Sequence, residues 1–284
     1  MPNLFELQTY LEPLRLHLVQ RGLLAALIVA ILCGVMGAFV VTRGLAFLGD
    51  ALGHAVFPGV VIAYLLNFNL LAGGLVAGVL TTIGISLVSR SRQIRESTAI
   101  GIFYTVMFAF GALLLQQSRS ASAALSELLI GNVLAVRTED LVLTGSIGAV
   151  VLLIVGVMYK ELVLVSFDPA LAAALGRNVP LTNALLFVLL GVTIVAALQT
   201  VGNVLVVALL VVPAATARLV AKPLPAIMGV AAVIGALATV SGVYISYYAN
   251  IASGGAIVLC ACLVFFFTLL VQAGRDRWQR RGAQ

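Results

Sequence analysis

The chain has 284 residues, of which 62% are hydrophobic and only 9% charged, with a mean hydropathy of +1.18 and a net charge of +6. Soluble domains carry about 25% charged residues, so this composition excludes a water-facing globular surface and makes a bilayer the fitting solvent. The sixteen Lys and Arg residues lie in short segments between apolar runs and gather on no single face, which argues against a nucleic-acid partner and for the positive-inside bias of a membrane protein.

At the start of the chain, Leu4, Leu7, Leu11, Leu14 and Leu18 recur at spacings of three and four, opposite Glu6, Gln8, Glu12, Arg15 and His17. The pattern predicts an amphipathic helix in the membrane interface over residues 1–22, kinked at Pro13, with His17 on its solvated side. A spanning helix needs about 20 mainly apolar residues. Runs that qualify are 23–41, 45–66, 70–88, 99–115, 141–159, 181–198, 204–220, 226–248 and 256–271. The first is long enough to be a retained span rather than a cleaved signal. The expected fold is therefore all-α: one polytopic transmembrane bundle over residues 23–284. Eight or nine spans are expected, because the pair flanking Gly202 and Asn203 is short and polar-interrupted, and one of them is a candidate re-entrant segment. Cys33, Cys260 and Cys262 sit within apolar runs and read as small packing residues.

Placing the C-terminus in the cytoplasm puts twelve basic residues inside and leaves four outside, namely Arg15, Arg21, Arg119 and Arg137. That asymmetry lies in short loops, where the rule is strongest.

Of the ten acidic residues, only Asp50 lies well inside an apolar run, and His54, one of two histidines, follows four residues later. A charge in hydrocarbon costs about 3 kcal/mol on insertion scales, so such a residue needs a protein-facing or pathway-facing position and a partner. Residues at i and i+4 share a helix face, letting a carboxylate oxygen and an imidazole nitrogen converge on one ion. That donor pair suits a borderline divalent cation such as manganese, zinc or iron. On the residues alone, a metal-transit point, a proton relay and a self-neutralising structural pair remain open. Gly49 and Gly53 form a small-residue column beside this pair, inviting close approach of another helix. Pro58 removes a backbone hydrogen bond and is expected to expose a carbonyl one turn beyond His54.

The polar segment 116–140 is expected outside, as a solvated loop that also offers a partner surface. In the stretch 160–180, Asp168 is an N-cap, Pro169 a first helical residue and Gly176 a left-handed stop, predicting a helix of about two turns in a cytoplasmic loop. So short a helix is marginal alone and makes sense docked into another protein, although locally it also reads as a plain connector. Gln199, Thr200 and Asn203 fall at the outer break between spans and are candidates to line a mouth. No GxxxxGK[ST] phosphate loop occurs, so ATP hydrolysis is expected on a separate chain and none on this one.

Three stretches together carry a resemblance to the permease subunits of the zinc/manganese/iron ABC importer family, extending over about residues 20–272. They are Gly49-Asp50-Ala51-Leu52-Gly53-His54-Ala55-Val56-Phe57-Pro58-Gly59; Phe167-Asp168-Pro169 with Ala173 and Gly176; and Val201 through Val206 continuing to Pro213 and Ala217. The resemblance implies a multi-pass permease of a bacterial cell membrane that works as a homodimer with cytoplasmic ATP-binding cassette subunits and an external metal-binding protein. It further implies that Asp50 and His54 coordinate a passing Mn²⁺ or Zn²⁺, with Fe²⁺ also compatible, that no cofactor is held permanently, and that the 167–176 segment couples to the ATPase. The rival reading is a proton-coupled secondary transporter that uses the same pair as a relay. The chain departs from the family's pattern at Gly53, where a serine is usual, and at Ala170, where a polar or acidic residue is frequent.

Overall fold

The computed structural model describes residues 16–89, 93–116 and 136–282, with side chains described to residue 275. Residues 1–15 of the interfacial helix expected over 1–22, and most of the polar segment 116–140, lie outside the described residues. Within them the chain is helical without strands. The helices are α1 (His17–Thr42), α2 (Phe47–Ala55), α3 (Phe57–Leu65), α4 (Leu70–Val88), α5 (Glu96–Gln116), α6 (Thr138–Val157), α7 (Tyr159–Phe167), α8 (Pro169–Ala174), α9 (Val179–Val201), α10 (Asn203–Val220), α11 (Leu224–Ala249) and α12 (Ser253–Gly282).

Among the described residues, nine helical stretches are long and apolar enough to cross a membrane, with α2 and α3 together forming the second. Both helices flanking Gly202 qualify: α9 has 23 residues and α10 has 18. Nine candidates is the upper figure of the expected eight or nine. Residues 17–22, read from sequence with the interfacial segment, are continuous with the first of them.

The core is arranged around α1, which packs on α11, α10, α6 and α9. A second group, α3, α4 and α5, joins the first through α9, which lies along α4, and through α2, which touches α5, α9 and α10. Close backbone approach depends on small residues, as expected where lipid tails supply no hydrophobic drive between helices. A Cβ on Gly37 would collide with the Leu210 carbonyl, and one on Gly34 would stand 2.7 Å from Ala232 Cα. Gly59 and Gly73 face each other across α3 and α4 with the same constraint. Several hydroxyls inside the spans bond to carbonyls of their own helix, as in Thr193 to Leu189 O (2.8 Å) and Thr239 to Gly235 O (2.8 Å), which satisfies them where a bilayer offers no water. Leu80, Val106, Leu237 and Phe267 are exposed on the outside of the bundle.

Polar ties gather at one end of the bundle. Arg43, at the end of α1, meets Glu96 at the start of α5 (2.7 Å) and Asn183 at the start of α9 (2.5 Å). Arg218, near the end of α10, donates to Val41 O (2.9 Å), and Gln272 of α12 donates to Leu219 O. All of these residues belong to segments assigned from sequence to one side of the membrane. Burial lowers the Arg43 guanidinium from its ordinary value, and the Glu96 carboxylate offsets part of that loss.

Candidate metal-transit site

The second span is not one straight helix. It breaks at Val56, which caps α2 and opens α3, with Pro58 near the start of the second piece. Pro58 cannot donate to the carbonyl of His54, but that carbonyl is not left open. A backbone N–H of the tightened turn bonds to it, and Val56 N bonds to Leu52 O (3.2 Å).

Asp50 and His54 both lie on α2, one turn apart. His54 Nε2 stands 3.6 Å from Asp50 Oδ1, too long for a hydrogen bond but within the reach of one ion held between them. The Asp50 side chain is 43% exposed and that of His54 22%, so the pair faces out of this chain rather than being sealed inside it. The imidazole is held by rings: Phe57 stacks on it at 5.5 Å, while Tyr104 and Phe108 of α5 present edge-on contacts at 5.6 and 5.5 Å. This wall fixes the ring plane and directs Nε2 toward the carboxylate. Nδ1 is buried without a partner among the described residues.

Gly49 and Gly53 present their bare column to α10. A Cβ at Gly49 would stand 3.0 Å from Leu210, and one at Gly53 would overlap the Asn203 carboxamide. The close helix approach expected of these glycines is thus made by α10. Asn203, expected near an outer mouth, is 4% exposed and rests on Gly53. Thr200 is also buried, its hydroxyl spent on Ala197 O (2.9 Å), and Gln199 is half-buried. Gly202, with φ of 82°, makes the turn that separates α9 from α10.

Among the described residues no cluster of three or more His, Cys, Asp or Glu side chains could hold a metal, and Asp50 and His54 offer this chain two candidate donors. At the other end, Asp168 caps α8 by accepting from Leu171 N (2.9 Å), Pro169 begins the helix, and Gly176 follows with φ of 73°. Ala172 is buried against the body of the chain, whereas Phe167, Leu171, Ala173 and Leu175 are exposed. Arg177 and Glu161 pair at 2.5 Å across the base of this segment. Sequence reasoning did not find Tyr104 and Phe108 as neighbours of His54. Their only local signal is two aromatics four apart on one face of α5.

The family model described as ABC 3 transport family matches residues 15–272. The chain is 45% identical to the manganese transport system membrane protein MntC of Halalkalibacterium halodurans, over 88% of this chain and 87% of that one. It is 42% identical to the MntC protein of Listeria monocytogenes, covering 89% and 90% of the two chains. The fold matches a chain of the solved structure of PsaBC from Streptococcus pneumoniae in complex with Fab, with a TM-score of 0.81, 38% identity and coverage of 92% and 95%.

Proposed function

The chain belongs to the ABC 3 transport family, and from that premise we propose that it is the membrane-spanning permease of an ATP-driven importer whose cargo is Mn²⁺. The manganese transport proteins among its relatives support this cargo, as does a donor pair that includes a carboxylate. One observation carries the reading: an ionisable pair, Asp50 and His54, lies 3.6 Å apart in the first half of a spanning segment and is open to one side. Facing lipid, that carboxylate would carry a desolvation cost of about 3 kcal/mol. Facing a second copy of this chain, it becomes half of a four-donor site on the axis between two subunits.

The mechanism follows from the geometry. Two donors per chain hold an ion loosely enough for release, and water or a second copy completes its shell. The break at Val56 allows α2 to tilt against α3 without breaking a continuous hydrogen-bond ladder. The exposed apolar face of α8 and its flanks is the docking surface for a cytoplasmic ATPase subunit, and an external binding protein delivers the ion to the opposite end. Movement of α8 passes through α7 and α9, on which it packs, and α9 touches α2 directly. The asymmetry of the basic loops supports a cytoplasmic position for α8 and the C-terminus, in a membrane read as that of a bacterial cell.

Manganese uptake by cells carrying the complete importer tests this reading. Asp50→Ala and His54→Ala, each verified to insert and assemble, are expected to abolish accumulation. Normal accumulation in both would remove the transit site.

A further inference from the structure

Two buried polar atoms at the proposed half-site have no partner among the described residues: His54 Nδ1 and Asn203 Oδ1. The second is the less expected. Asn203 is the first residue of α10, 4% exposed, and its carboxamide occupies the space that a side chain at position 53 would need. Gly53 lies between Asp50 and His54 on the same helix, so the orphaned oxygen sits against the backbone of the site itself. Leaving a buried acceptor unpaired costs about 1–3 kcal/mol, and such groups in a native fold call for an explanation such as an ion.

We propose that Asn203 Oδ1 is a third donor of the transit site and tilts its preference toward manganese over zinc. This rests on the transit reading above. With Asp50 and His54 alone, two copies supply two carboxylates and two imidazoles, a set of four that equally suits tetrahedral zinc. Adding one carboxamide oxygen per copy gives six donors, four of them oxygen, which favours an octahedral, oxygen-preferring ion. Gly53 makes this possible, because any Cβ there displaces the carboxamide.

The test is uptake of Mn²⁺, and its inhibition by Zn²⁺, in cells carrying the complete importer with the same delivery protein throughout. In Asn203→Ala the half-saturating Mn²⁺ concentration should rise on the order of tenfold, and the preference for Mn²⁺ over Zn²⁺ should fall. Gly53→Ala should reproduce both changes. Asn203→Asp keeps an oxygen in place with added charge, and should lower the half-saturating concentration while retaining the manganese preference. Wild-type values in Asn203→Ala and Gly53→Ala, alongside lost uptake in Asp50→Ala, would overturn the role of Asn203 and leave the transit site standing. Normal uptake in Asp50→Ala would instead remove the site and this proposal with it. If Asn203→Ala does not assemble, Asn203→Asp decides alone, and an unchanged half-saturation with an unchanged metal preference overturns the proposal.

Discussion

Arg43 and Glu96 come from the end of the first span and the start of the fourth, and their charged groups meet at 2.7 Å with side chains 11% and 28% exposed. Asn183 bonds to both, at 2.5 Å to Arg43 and 3.1 Å to Glu96. Arg43 also lies over the ring of Phe187, 5.7 Å from its centre. Three helices are therefore pinned at one end by a single guanidinium, at the same end of the bundle as the α8 segment.

Removing either charge strands the other. Because the pair is only partly screened from solvent, each of Arg43→Ala and Glu96→Ala should cost about 1–2 kcal/mol, below the range for fully buried pairs. The double variant should cost clearly less than the sum. Thermal unfolding of the purified protein in detergent measures this, and strictly additive losses would show that the two groups do not act together.

The aromatic wall predicts a functional rather than a structural loss. Phe108 is itself substantially exposed, so Phe108→Ala should leave folding nearly intact while freeing the His54 ring. The half-saturating metal concentration for uptake should rise severalfold, with Phe108→Leu in between. An unchanged uptake curve would mean that the rings do not orient the imidazole.

Ala173 is an exposed, small residue on α8, so bulk at that position acts on whatever docks there. Ala173→Trp should leave the permease folded but disconnect ATP hydrolysis from transport. Asp168→Ala removes the cap bond to Leu171 N and should loosen α8 by about 1 kcal/mol, with a partial form of the same defect. ATP hydrolysed per ion moved in proteoliposomes reads both, and wild-type stoichiometry in the two variants would make α8 a simple connector.

Packing glycines should separate cleanly by surroundings. Gly37→Ala drives a Cβ into the Leu210 carbonyl, whereas Gly156→Ala meets nothing within 4 Å. The first should cost about 1–3 kcal/mol, as overpacking does, and reduce the yield of monodisperse protein. The second should be neutral or slightly stabilising. Equal tolerance of both would contradict the close contact of α1 with α10.

Much of this architecture was legible in the sequence because a bilayer tolerates few solutions: each apolar run of sufficient length had to become a helix. The break at Val56 could be read from Pro58, the turn at Gly202 from an isolated glycine next to a polar residue, and α8 from its cap and stop. What escaped was mostly long-range. Tyr104 and Phe108 gain meaning only when α5 packs on α2. Asn203 looked like a wetted helix end because its burial depends on a glycine 150 positions earlier in the numbering. The helix α7 was not anticipated within the cytoplasmic stretch 160–180, and it forms as Leu162 and Val165 bury within the chain.

The most direct test is to locate the ion in the assembled importer by anomalous scattering at the manganese edge, from crystals grown with Mn²⁺. The account predicts one peak between two copies of the chain, within coordination distance of Asp50 and His54 from each. A peak elsewhere, with Asp50 and His54 of both copies turned toward lipid, would contradict it.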